Sequence, residues 1–193
     1  MNFKLLLCVV LFFSLHAYSQ TKSNISVLYG ISVTSVDIHG AVGDFGYANK
    51  TGISYGATYS RNLSKIFSLE SGVILYDDKV EINSIQPGRD VTSDGDVKLI
   101  TVPIIGRWTF FNCLFVETGI SIDKQTNFSS SSVVSSQSGL GNEFGFGGTY
   151  TFRHVSVFVN PYWREFSIIN FSSNSENRNL IDIGVKFGLG YNF

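Results

Sequence analysis

The sequence predicts an all-β chain: an eight-stranded antiparallel up-and-down barrel that crosses a membrane with its strands. Three observations carry that expectation. After an apolar N-terminal run, no stretch of about 18 apolar residues follows, so no spanning helix is on offer. Eight segments alternate apolar residues with small or polar ones, a period of two rather than 3.6. The connections between them alternate short and long, as transmembrane barrels are wired.

The N-terminal run is excluded from the fold. Met1 to Lys4 is short and positive, Leu5 to Leu15 is almost wholly apolar, and Ala17-Tyr18-Ser19 offers small residues at the positions a signal peptidase reads. Residues 1–19 therefore read as a cleaved signal peptide and residues 20–193 as one barrel domain. The apolar run is shorter than the ~20 residues that span a bilayer, which argues against an uncleaved anchor. Cys8 leaves with the peptide and Cys113 remains alone, so neither an intramolecular disulfide nor a cysteine-based metal site is expected.

The first strand is legible from Ile25, Val27, Tyr29, Ile31 and Val33 against Ser26, Gly30, Ser32 and Thr34. The second sets Ile53, Tyr55, Ala57 and Tyr59 against Gly52, Ser54, Gly56, Thr58 and Ser60. The third sets Phe67, Leu69, Val73 and Leu75 against Ser68, Glu70 and Gly72. The fourth, Val97 to Phe110, is more continuously apolar and its facing stays open, which leaves Arg107 unplaced. The fifth alternates Leu114, Val116, Ile120 and Ile122 with Phe115, Glu117, Gly119 and Ser121. The sixth alternates Phe144, Phe146, Tyr150 and Phe152 with Gly145, Gly147, Thr149 and Thr151, and the seventh Val155, Val157, Val159 and Trp163 with Ser156, Asn160 and Arg164. The eighth alternates Ile181, Ile183, Val185, Phe187, Leu189, Tyr191 and Phe193 with Asp182, Gly184, Lys186, Gly188, Gly190 and Asn192.

Asn62 to Lys65, Phe111-Asn112 and Arg153-His154 read as tight turns. Asp37 to Asn49, Asp78 to Asp96, Lys124 to Asn142 and Ser167 to Arg178 read as long polar loops. An even strand number puts both termini at the short-turn, periplasmic rim. Tyr59, Phe67, Trp108, Phe110, Tyr150, Phe152, Tyr191 and Phe193 fall beside the tight turns, where an aromatic girdle would meet the headgroups. A soluble lipocalin-like barrel would need charged residues on its outer face, and these strands do not supply them.

Composition agrees. In 193 residues only 15% are charged, against roughly 25% in an ordinary soluble domain, and 44% are hydrophobic. That excludes a disordered chain. A net charge of −1 gives no basic excess for nucleic acid.

The block from Leu99 to Arg107, the run Phe115-Val116-Glu117-Thr118-Gly119 and the closing Gly188-Leu189-Gly190-Tyr191-Asn192-Phe193 resemble the PorT-type outer-membrane β-barrel proteins of Gram-negative bacteria, within the OmpA/OmpX-like eight-stranded class. The resemblance implies a barrel in the outer membrane, amid its lipid and lipopolysaccharide. It also implies that Phe187, Leu189, Tyr191 and Phe193 form a C-terminal signal for the barrel-assembly machinery. It implies little about activity.

Candidate sites are few. Glu70 and Glu117 occupy equivalent places in a weak repeat, Phe67-Ser68-Leu69-Glu70-Ser71-Gly72 against Leu114-Phe115-Val116-Glu117-Thr118-Gly119, and should enter the lumen at similar depth. Paired carboxylates can do acid–base work. In a narrow barrel filled by side chains they are better read as a plug, with Arg164 and Lys186 as partners and Arg107 or Lys98 available as well. His154, Ser156 and Glu165 suggest the His-x-Ser pair and Glu of barrel lipid-A deacylases. However, His154 sits in a tight turn roughly 30 Å along the strand from Glu165. His39 has no companion histidine, and Ser129 to Ser132 with Ser135 and Ser136 reads as a loop tip. Gly145-Phe146-Gly147-Gly148 precedes no helix and is no phosphate cradle; its inward glycines instead make room for Phe115 or Phe158. No cofactor is implied. The expected function is a non-enzymatic, integral outer-membrane barrel with a structural or interaction role, its long loops available to a surface protein or glycan. A small passive, porin-like channel and a lipid-modifying enzyme are the competing readings.

Overall fold

The computed structural model describes residues 23–38, 46–48, 50–86, 89–127, 137–171 and 178–193. The signal segment, His39 and the serine-rich stretch 129–136 lie outside the described residues. The strands are β1 (Ser23–Ile38), β2 (Gly46–Ala48), β3 (Lys50–Asn62), β4 (Phe67–Gln86), β5 (Arg89–Phe110), β6 (Leu114–Gln125), β7 (Gly139–Phe152), β8 (Val155–Asn170) and β9 (Arg178–Asn192). Each barrel strand pairs antiparallel with its chain neighbour. β9 then returns to β1, from Asn24↔Asn192 to Ile38↔Arg178, and closes the barrel. β2 is a short accessory strand on the far part of β4. The barrel is thus eight strands, closed, and no sheet edge is left open around its girth.

Alternation fixes which way each side chain points. Ile25, Val27, Tyr29, Ile31 and Val33 of β1, Phe144 and Phe146 of β7, and Phe187, Leu189 and Tyr191 of β9 all face out and are exposed, as is Phe193 just beyond β9. Ser26, Ser32 and Thr34 of β1 face the lumen and are buried. The outer surface is therefore a continuous apolar band with polar groups inside, the reverse of a soluble barrel. Tyr59, Trp108, Phe110, Tyr150, Phe152, Tyr191 and Phe193 are exposed at the tight-turn rim, and Phe67 leans on Trp108 at 4.9 Å between ring centroids. Positive φ at Phe111 (51°), Asn112 (60°) and Arg153 (54°) turns the chain tightly at that rim.

The facing of the fourth predicted strand is now resolved. In β5 the odd residues Val97, Leu99, Thr101 and Ile105 point inward and are buried. Arg107 shares their face, whereas Lys98 points out and pairs with Asp77 at 3.2 Å. Alternation is blurred there because part of the lumen is itself apolar: Leu28, Ile74, Tyr76, Val97, Leu99, Phe115, Phe158, Phe166 and Leu180 pack into one cluster. One expected loop needs correction. Asp78 to Asp96 is largely a β-ribbon, since β4 and β5 stay paired out to Gln86↔Arg89. Backbone ladder bonds do not require an apolar face, and Val80, Ile82, Ile85 and Val91 are β-branched residues suited to extended chain.

Two prolines sit inside strands, and in both places one ladder lapses. Pairing of β4 with β5 skips from Ser71↔Ile104 to Ile74↔Thr101 beside Pro103. Pairing of β7 with β8 skips from Gly145↔Tyr162 to Gly148↔Val159 beside Pro161. Proline has no N–H to give, so the lost bonds fall on one side while the other ladder, Pro103↔Ser121 or Pro161↔Val185, persists.

Inward glycines make room for lumenal rings. A Cβ on Gly147 would lie 2.7 Å from Phe115 Cζ, and one on Gly188 would lie 2.1 Å from Phe158 Cε1 and Cζ. Gly188→Ala should therefore lower stability by about 1–3 kcal/mol through overpacking. The check is the urea midpoint in detergent micelles; an unchanged midpoint would mean that Phe158 is not confined.

Candidate functional site

The site is the lumen, where buried charges meet in two layers. The layer nearer the tight turns is centred on Arg107 of β5. Its guanidinium lies 3.1 Å from Glu70 and 2.8 Å from Glu117, so the two repeat carboxylates converge on one cation. Nε of Arg107 also donates to Glu117 at 2.8 Å, and Asn160 Nδ2 donates to the other Glu117 oxygen. The guanidinium lies over the Phe115 ring at 4.4 Å and the Phe158 ring at 5.3 Å. Beyond it, toward the tight turns, lies a polar vestibule of about 340 Å³, lined in part by Asn24, Ser60, Lys65 and Arg153.

The second layer is centred on Arg164 of β8, which is fully buried. Its Nη1 donates to Tyr76 Oη at 2.8 Å and to Glu143 at 3.1 Å. Its Nη2 donates to Asp123 at 2.6 Å, Ser121 at 2.7 Å and Thr101 at 3.3 Å. Those partners come from the adjacent β7 and from β4, β5 and β6, so a single side chain reaches across the barrel to three strands that are not its neighbours. Tyr76 and Phe166 lie against the guanidinium at 4.6 and 4.5 Å. Lys186 of β9 joins through the second Glu143 oxygen and lies 4.2 Å over the Tyr162 ring. Each lumenal cation thus has carboxylates for charge and an aromatic face for contact, and a desolvated charge needs such partners.

The four lumenal residues expected from sequence divide between the layers. Glu70 and Glu117 meet Arg107, whereas Arg164 and Lys186 meet Glu143 and Asp123. Glu143 and Asp123 went unrecognised, although both keep the inward parity of their strands. Lys98 is outside the network.

The His154, Ser156 and Glu165 trio is not brought together. His154 is exposed in its turn and stacks on Tyr191 at 5.9 Å, while Ser156 is buried and accepts a hydrogen bond from Asn24 at 3.0 Å. Glu165 lies far along the same strand, in register with Ile181. Among the described residues no group of three or more His, Cys, Asp and Glu converges as metal ligands, and Cys113 is an exposed free thiol.

Among solved structures the chain is similar to Neisserial surface protein A, at 12% identity and a TM-score of 0.55, covering 89% of this chain and 97% of that one. It is also similar to the outer membrane protein OprG of Pseudomonas aeruginosa, at 13% identity and a TM-score of 0.52, covering 92% and 98%. The fold is that of the small outer-membrane barrels. No family profile matches the chain, and no curated protein does.

Removing one member of a buried ion pair strands the other, which costs about 3–5 kcal/mol. Arg164→Met should destabilise the barrel by that order. Lys98→Met, which breaks the solvent-exposed pair with Asp77, should change stability by less than about 1 kcal/mol. Urea unfolding followed by tryptophan fluorescence compares the two, and equal effects would contradict the assigned facing of β5.

Proposed function

We propose that this chain is an integral outer-membrane barrel of the PorT type, non-enzymatic, whose sealed lumen makes it a rigid support for long surface loops rather than a conduit. The observation that carries this reading is the pairing of an apolar outer band with a lumen crossed by Arg107 and Arg164 networks. An apolar band around a closed barrel is stable only against lipid, and the similarity to small outer-membrane barrels supports the outer membrane as the lipid phase.

A passive channel would need a wet passage through the charged layers. A lipid-modifying enzyme would need a nucleophile, a base and an orienting group in mutual reach. His154, Ser156 and Glu165 do not provide that, so a structural or interaction role is favoured. Outer-membrane lipid and lipopolysaccharide are the surroundings, with the barrel-assembly machinery as the partner during insertion. A surface protein or glycan is the occupant proposed for the loops. The exposed row Phe187, Leu189, Tyr191 and Phe193 suits the assembly signal.

The test is electrophoretic mobility of the whole chain, expressed with its own N-terminal segment and recovered from the outer-membrane fraction. A closed barrel resists SDS until heated. The expected result is a heat-dependent shift in that fraction. Recovery as soluble periplasmic protein without a shift would overturn the membrane reading.

A further inference from the structure

The tight-turn end of the barrel carries charge of one sign. From Ser60 to Ser68, Trp108 to Phe115, Thr149 to Val157 and Gly188 to Phe193 there is no aspartate or glutamate, whereas Arg61, Lys65 and Arg153 are cations. The first carboxylates met further in, Glu70 and Glu117, are both held by Arg107. Lys65 and Arg153 form no ion pair among the described residues.

Both of these unpaired cations line the vestibule of about 340 Å³, and no carboxylate lines it with them. That volume falls at the lower end of ordinary small-molecule sites. Arg107 closes the floor. Its Nε and Nη2 take the two carboxylates, while Nη1 makes no hydrogen bond among the described residues and the side chain keeps 14% exposure. The floor therefore still has N–H groups to give. The wall holds neutral groups that are also unspent. Ser60 and Asn62 of β3, Thr109 of β5 and Thr151 of β7 share the inward parity of their strands and line the vestibule. None of their side chains hydrogen-bonds to another described residue, and each can both donate and accept.

Such a recess suits a ligand that has hydroxyl groups and more than one negative charge. A phosphate monoester carries about −1.5 to −2 at pH 7 and presents three acceptor oxygens to Lys and Arg. Because the Arg107 layer seals the floor, the recess can bind a solute without conducting it. The strands separate it from the apolar outer band, which favours a water-borne ligand over a lipid headgroup.

We propose that the vestibule is a binding site for a small phosphorylated polyol of the sugar-phosphate class. Its phosphate is held at the mouth by Lys65 and Arg153, and its hydroxyls face Ser60, Asn62, Thr109, Thr151 and Nη1 of Arg107.

The test is calorimetric titration of glucose 6-phosphate into the whole barrel, folded in an uncharged polyoxyethylene detergent. The expected result is one saturable site, with glucose and inorganic phosphate each bound about tenfold or more weaker, since each lacks one half of the contacts. The double variant Lys65→Gln with Arg153→Gln should weaken glucose 6-phosphate by at least about tenfold, folding being verified by the heat-dependent gel shift. Arg61→Gln, at the same rim but of outward parity, should change it by less than about twofold. Thr109→Val with Thr151→Val should weaken glucose 6-phosphate and leave inorganic phosphate unchanged. Absence of saturation up to about 10 mM would overturn the proposal, as would equal binding in the Lys65 and Arg153 variant. Saturable binding of short-chain phosphatidylglycerol without binding of glucose 6-phosphate would also overturn it, since the rim cations would then serve the lipid surface.

Discussion

The guanidinium of Arg164 is the interaction on which the interior depends. A closed eight-stranded ladder sets the wall, but hydrogen bonds between adjacent strands say nothing about what fills the middle. Arg164 does, because it bonds to side chains of four strands other than its own. Its charge is placed where water is excluded, so the arrangement holds only while Glu143 and Asp123 stay ionised partners and Tyr76 and Phe166 cover its faces. Arg107 repeats the scheme nearer the tight turns with Glu70, Glu117, Phe115 and Phe158. Two layers of this kind turn a tube into a packed cylinder.

The outside obeys a different constraint. No helix among the described residues is long and apolar enough to cross a membrane, and the apolar residues lie on strands in a band around the barrel. The same strands present small residues inward, so that bulky lumenal side chains fit within a narrow circumference. Gly147 and Gly188 show the coupling directly, each standing where a methyl group would collide with a ring of the plug. Wall and filling are therefore specified together.

Much of the wall was legible in the sequence. Period-two alternation identified the barrel strands and their outward faces because a membrane barrel confines its large apolar residues to one parity. The signal failed in β5, where Val97, Leu99 and Ile105 are as apolar inside as Ile100, Val102 and Ile104 are outside. It also failed in the outer parts of β4 and β5, where polar composition suggested a loop although the ladder continues to Gln86↔Arg89. The lumen was legible only as a list of inward charges. Which carboxylate meets which cation depends on reach across the barrel between strands distant in sequence, and local pattern does not encode that. Inward parity was a usable clue for Asp123, Glu143 and Asp78.

The most direct test of a sealed lumen is single-channel recording of the purified chain in a planar lipid bilayer. A barrel crossed by the Arg107 and Arg164 layers should give no stable conductance steps. Regular, long-lived open steps would contradict it, because ions would then be passing where these side chains close the barrel.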